Sequence, residues 1–67
     1  MTEQENVKRY CINNGITVAA FERKCDLANG IVRAWEKQGT VPSMRTLKKI
    51  ENATGIPVQN WITEGGV

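Results

Sequence analysis

The chain has 67 residues, with nine lysines and arginines against seven acidic residues and a formal net charge of +2. A chain of this length forms one domain and buries only roughly 60% of its unfolded surface, so we expect a partner subunit to supply additional support. No apolar run approaches the ~20 residues of a membrane span, and the amino terminus lacks the apolar segment of a secretory signal. We therefore expect a cytoplasmic protein with no membrane partner.

Two cysteines, Cys11 and Cys25, stand among apolar residues at helical spacing and do not form a CxxC motif. The chain contains no histidine, and two distant cysteines cannot hold zinc alone. The sequence predicts buried thiols, with no metal, no cofactor and no evident small-molecule ligand. It also lacks a Gly-rich phosphate loop, a cysteine–base pair and paired carboxylates, and a domain this small has little room for a substrate cleft. We do not expect an enzyme.

The first predicted helix covers residues 3–14. Thr2 to Glu5 form a capping box, in which a threonine hydroxyl and a glutamate three residues later satisfy free amides. Gly15 can adopt the left-handed conformation that ends a helix. Apolar residues recur at i, i+3 and i+4 in this helix, namely Val7, Tyr10 and Cys11.

The second and third predicted helices cover residues 18–24 and 29–37, joined by a tight turn at Asp26. At ~100° per residue, Val32 and Trp35 share the buried face of the third helix. A helix of this length measures ~13 Å, which fits a major groove about 12 Å wide. The pair has the layout of a helix-turn-helix, in which the second helix enters the major groove of DNA. The exposed arc carries Asn29, Gly30, Arg33 and Lys37.

Two further helices are predicted over residues 44–54 and 58–62. Ser43 follows a proline and caps the fourth helix, which ends near Gly55. Ile56 is expected in the core. The apolar stripe of the fourth helix consists of Met44, Leu47 and Ile50, and the last helix turns Val58, Trp61 and Ile62 inward or towards a partner.

The Asn29-Gly30 pair also supports a different local structure, because Asn-Gly is the strongest short signal for a β-hairpin. A hairpin here would break the third helix. The flanking residues favour the helix, because residues 26–28 are too short for a strand and residues 31–37 have helical spacing.

Residues 6–62 resemble the lambda-repressor-like, Xre-type helix-turn-helix domains of bacterial and phage regulators. The segment from Leu27 to Trp35 is similar to a prophage-type repressor subgroup. The resemblance implies a compact all-α fold of five helices with the helix-turn-helix at helices 2 and 3, so that residues 1–67 form a single DNA-binding domain. The matching landmarks are Gly15-Ile16-Thr17, Phe21, Val32, Trp35-Glu36, Pro42-Ser43, Leu47, Ile50, Gly55-Ile56 and Trp61-Ile62.

The chain departs from the family pattern at several positions on the DNA side. Asp26 replaces the usual glycine of the turn, and Val18 stands where relatives often have a glutamine that contacts DNA. Ala28 replaces a serine or threonine cap, which leaves Asn29 as an alternative cap that would shorten the third helix. The loop from Gly39 to Val41 lacks the lysines and arginines of many relatives. Together these departures imply a lower affinity for DNA.

Three residues are predicted to contact bases. Asn29 can read adenine with its paired donor and acceptor, and Arg33 can read guanine or hold a phosphate. Gly30 lets the backbone approach DNA closely. Each has an alternative role: Asn29 as a helix cap, Gly30 as a turn residue, and Arg33 in an ion pair with Glu36. Glu22 lies near the turn, and the sequence does not identify its partner.

Phosphate contacts are expected at helix ends, where backbone amides carry partial positive charge. The candidates are Thr17, Lys37, Thr40, Ser43 and Arg45.

These observations predict a sequence-specific, DNA-binding transcriptional regulator. We expect a repressor that binds double-stranded DNA at a palindromic operator as a homodimer, with Trp61 and Ile62 at the dimer interface. The alternative is a protein-interaction module of the same fold with weak or no DNA binding. The weak positive charge, Val18 and the uncharged loop at residues 39–41 favour that alternative.

Overall fold

The computed structural model describes residues 2–67, which form five helices and contain no strand. α1 packs against α2, α3 and α5, while α2 also packs against α3, and α4 packs against α5. This arrangement confirms the predicted all-α fold and excludes the hairpin at Asn29-Gly30. The helices are α1 (Thr2–Asn14), α2 (Val18–Lys24), α3 (Ile31–Gln38), α4 (Met44–Thr54) and α5 (Val58–Ile62).

Three aromatic rings form the centre of the core. Tyr10, Phe21 and Trp61 come from α1, α2 and α5, and their ring centroids lie 5.6 to 5.9 Å apart in edge-on or tilted arrangements. The Trp61 indole N–H also donates a hydrogen bond of 3.1 Å to the carbonyl of Ile56. These contacts attach the short α5 to the rest of the domain. The surrounding core residues are Val7, Cys11, Cys25, Val32, Trp35, Leu47 and Ile50.

Cys11 and Cys25 are both buried free thiols, as predicted. Burial raises the pKa of the Cys25 thiol to about 11, against the opposing effect of the neighbouring Lys24 charge. Burial also raises the pKa of Cys11, with a smaller contribution from the Glu22 carboxylate. Both thiols therefore stay protonated near neutral pH and act as core side chains.

Helix boundaries differ from the predictions at α1 and α3. Within the described residues α1 begins at Thr2, one position before the predicted start. α3 begins at Ile31 and not at Asn29, because Gly30 before it has a left-handed backbone with a φ of 83°. Met44 was predicted on the buried stripe of α4 but is 56% exposed, since only Leu47 and Ile50 of that stripe reach the core.

Asn6 joins the two ends of the chain from a fully buried position on α1. Its side-chain amide donates to the carbonyls of Asn60, Trp61 and Thr63, at 3.2, 2.6 and 3.1 Å respectively. These carbonyls lie at the end of α5, where helix geometry leaves them without partners. Asn6 therefore serves as a C-terminal cap for α5, supplied by another helix.

Replacing Asn6 by alanine is expected to lower the free energy of unfolding by about 1 to 2 kcal/mol, because buried carbonyls lose their donor. Asn13→Ala is the matched control on the same helix, since Asn13 is exposed. Urea denaturation of both variants measures the difference, and equal midpoints would contradict this role for Asn6.

No helix within residues 2–67 combines the length and the apolar character that crossing a membrane requires.

Candidate nucleic-acid interface

The exposed arc of α3 carries two unpaired cations. Arg33 and Lys37 are exposed, and neither side chain forms a hydrogen bond or ion pair with another residue of the described chain, 2–67. Val32 and Trp35, on the other side of the helix, are buried as predicted. Glu36 pairs with Lys8 of α1, so the predicted alternative of an Arg33–Glu36 ion pair is not formed.

Asn29 and Gly30 lie in the turn before α3 and not on the helix itself. Both are exposed, and within residues 2–67 the Asn29 side chain caps nothing. Gly30 is the N-cap residue of α3, and its left-handed backbone accounts for a glycine at this position, because side chains strain that conformation. A Cβ at Gly30 would meet no atom within 4 Å, so the surface beside it is open.

Glu22 caps α3 from the neighbouring helix. One carboxylate oxygen accepts a hydrogen bond of 3.0 Å from the Gly30 N–H, and the other accepts one of 3.1 Å from the Val32 N–H. The Glu22 backbone carbonyl accepts a further bond of 2.8 Å from Leu27. A buried carboxylate with two amide donors is well satisfied, and it performs the role that the sequence analysis assigned to Asn29.

The predicted turn between α2 and α3 lies at Asp26, whose φ of 57° is left-handed. Lys49 of α4 donates a hydrogen bond of 3.2 Å to the Asp26 carbonyl, and its ammonium lies 3.8 Å from the Asp26 carboxylate. The fourth helix thus supports the turn that sets the angle between the other two.

The three candidate base-contacting residues line one open cleft of about 320 Å³ between α1, α2 and α3. Val18 and Ala19, near the start of α2, form part of its apolar wall. Asn29, Gly30 and Arg33 are therefore close together, although they do not share one helix. The other lining residues are Lys8, Glu22, Val32 and Glu36.

The candidate phosphate-contacting residues lie outside this cleft, at helix ends and in the loop between α3 and α4. The Thr17 hydroxyl caps α2 by accepting from the Ala20 N–H at 3.1 Å, and the Ser43 hydroxyl caps α4 by accepting from Thr46 at 3.3 Å. Both hydroxyls thus organise the helix starts whose amides are proposed to meet phosphates. The remaining candidates, Lys37, Thr40 and Arg45, are all exposed.

The two candidate dimer residues differ in exposure. Trp61 is 0% exposed, so its side chain lies in the core of the subunit and offers no surface for a partner. Ile62 is 47% exposed and remains available for such a contact.

Glu22 and Lys49 support the candidate interface, and the sequence identified a partner for neither of them. The signal for Glu22 was only partial, because Ala28 and Gly30 have no side chain that can cap a helix, whereas Asn29 remained a candidate cap. No comparable signal existed for Lys49, since its contact with Asp26 joins residues far apart in the chain.

Comparison with known proteins agrees with this geometry. The sequence model of a helix-turn-helix family matches residues 7–61, which is most of the chain. This chain belongs to the Xre and lambda-repressor type of helix-turn-helix proteins. No curated protein and no solved structure matches it.

The helix-turn-helix of this Xre-type domain is formed by α2, the turn at Asp26 and α3. Xre-type domains bind DNA and regulate transcription, and they are typically not enzymes. Among residues 2–67, no group of three or more cysteines and acidic residues is placed to hold a metal ion.

Proposed function

We propose that this domain is a sequence-specific transcription regulator that reads DNA through α3 and the turn before it. The observation that carries the proposal is the uncovered polar arc of Asn29, Gly30 and Arg33, which remains accessible while Val32 and Trp35 are buried. Arg33 suits guanine or phosphate, and Asn29 suits adenine. Thr17, Lys37, Thr40, Ser43 and Arg45 are proposed to contact phosphates and set the register.

A repressor acting as a homodimer on a palindromic operator fits this arrangement. Two copies related by a two-fold axis would place their α3 helices in successive major grooves, ~34 Å apart. We propose that Ile62 contributes to the contact between the copies, since it is a large apolar side chain exposed next to the core.

Selection of bound duplexes from a random DNA pool tests the proposal directly. A palindromic consensus with half-sites one helical turn apart would support both the specificity and the two-fold symmetry. Enrichment of no sequence would contradict sequence-specific binding and would favour the protein-interaction alternative.

We expect the affinity for the selected duplex to fall steeply with salt. If each subunit neutralises ~3–5 phosphates, the plot of log affinity against log salt concentration for a dimer has a negative slope of several units. Fluorescence anisotropy from 50 to 300 mM KCl measures this slope. A flat response would show that the exposed cations do not meet phosphates.

A further inference from the structure

The start of α3 has no capping group of its own. The first amides of a helix lack intrahelical acceptors and need other partners. Here the N-cap residue is Gly30, which has no side chain, and the first turn of α3 contains no acidic residue. Ala28, which precedes it in the turn, has no polar side-chain atom. The Ile31 N–H donates to the Ala28 carbonyl within the turn at 3.1 Å, whereas the Gly30 and Val32 amides find their acceptors on another element.

Glu22 of α2 supplies both acceptors at once. Its two carboxylate oxygens accept from the Gly30 and Val32 amides at 3.0 and 3.1 Å, and the side chain is only 3% exposed. A two-point contact defines an orientation as well as a distance, since both oxygens must meet their donors together. The start of α3 is thereby tied to the body of α2.

The same contact changes the electrostatics of the interface. The start of a helix carries roughly half a positive charge, which attracts phosphates. At α3 a buried carboxylate already occupies that position. The start of α3 is thus a poor phosphate site, whereas the starts of α2 and α4 are capped by the neutral hydroxyls of Thr17 and Ser43. The start of α3 is therefore less suited to a phosphate than the start of α4.

We propose that Glu22 is a positioning residue for sequence recognition: its carboxylate holds Gly30 and Val32, and so sets where Asn29 and Arg33 meet the base edges. This inference rests on the proposed function. It adds that the discrimination between DNA sequences, and not only the stability of the fold, depends on a side chain that does not touch DNA.

The test compares Glu22→Gln with Glu51→Gln. Glu51 is a matched control, because its carboxylate accepts a hydrogen bond of 2.9 Å from the Val58 N–H at the start of α5, away from α3. In Glu22→Gln, the side-chain N–H₂ group faces one of the two backbone N–H groups and cannot accept a hydrogen bond from it, so that bond is lost. The probes are the duplex that the wild-type protein selects from the random pool and a scrambled duplex of equal length and composition.

For Glu22→Gln we expect the ratio of the two affinities to fall about tenfold, which is the discrimination of one base contact. Glu51→Gln should keep the wild-type ratio even if its unfolding temperature falls. Amide hydrogen exchange should accelerate at Gly30 and Val32 in Glu22→Gln and not in Glu51→Gln. All measurements are made at temperatures where circular dichroism shows each variant folded.

Two results would overturn the inference: an unchanged affinity ratio in folded Glu22→Gln, or unprotected Gly30 and Val32 amides in the wild-type protein. If Glu22→Gln does not fold, Glu22→Asp replaces it. Its shorter carboxylate keeps the charge but cannot reach both amides, so its affinity ratio should also fall, and a wild-type ratio would refute the inference. Failure of the proposed function is separate, because the wild-type protein would then select no sequence.

Discussion

Replacing Trp61 by alanine is expected to unfold most of the domain at room temperature. Trp61 is 0% exposed, contacts the rings of Tyr10 and Phe21, and donates its indole N–H to the Ile56 carbonyl. Truncation of a buried tryptophan costs about 3–5 kcal/mol. The core of a domain of this size rarely supplies more than ~3–5 kcal/mol of stability, so this one substitution is expected to remove nearly all of the free energy of unfolding.

Circular dichroism with urea or thermal denaturation measures this loss, and Ile12→Ala is the control. Ile12 is a large apolar residue of α1 that is 79% exposed, so its truncation should change the free energy of unfolding by less than about 1 kcal/mol. A cooperative transition in Trp61→Ala close to the wild-type midpoint would show that α5 is not integral to the core.

Replacing Arg33 by alanine is expected to weaken DNA binding and to leave the fold unchanged, whereas Trp61→Ala is expected to unfold the domain. The guanidinium is exposed and makes no hydrogen bond or ion pair within residues 2–67, so its removal breaks no internal contact. Loss of a base or phosphate contact is expected to weaken binding to the selected duplex by ~1–3 kcal/mol, which is a roughly 5- to 150-fold change in dissociation constant.

Arg23→Ala is the matched control for charge, because Arg23 is an exposed arginine in the last turn of α2. Binding of both variants is compared by anisotropy at the same salt concentration, and their melting temperatures by calorimetry. Equal losses of affinity would indicate that only net charge matters. A large fall in the melting temperature of Arg33→Ala would mean that this face of α3 is structural.

Periodic patterns predicted the helices and most of the core. The spacing of Val32 and Trp35 assigned the buried face of α3, and the glycine at position 15 marked the end of α1 through its left-handed φ of 64°. Both depend on interactions between residues close in the chain, which a sequence displays directly. Met44 shows where this reasoning failed, because it has the right spacing but lies 56% exposed at the start of α4, outside the core.

Contacts between residues far apart in the chain could not be predicted from these local patterns. Asn6 reaches carbonyls more than 50 positions away, and Lys49 supports the turn at Asp26. The start of α3 also belongs to this class. Asparagine is a residue type that often caps helices, yet Glu22 and not Asn29 accepts the hydrogen bonds from the first amides of α3. A cap supplied by another helix depends on the angle between the two helices, and the spacing of residues along the sequence does not predict that angle.

By itself, then, the order of residues determined an all-α domain with a helix-turn-helix and predicted the exposed side of its second helix as the surface for DNA, because helix periodicity and turn chemistry are local. The tertiary structure decided that Trp61 lies inside the core, that Lys8 and not Arg33 pairs with Glu36, and that Glu22 holds the start of α3. Each of these outcomes depends on which helix faces are brought together, and only packing in three dimensions determines that.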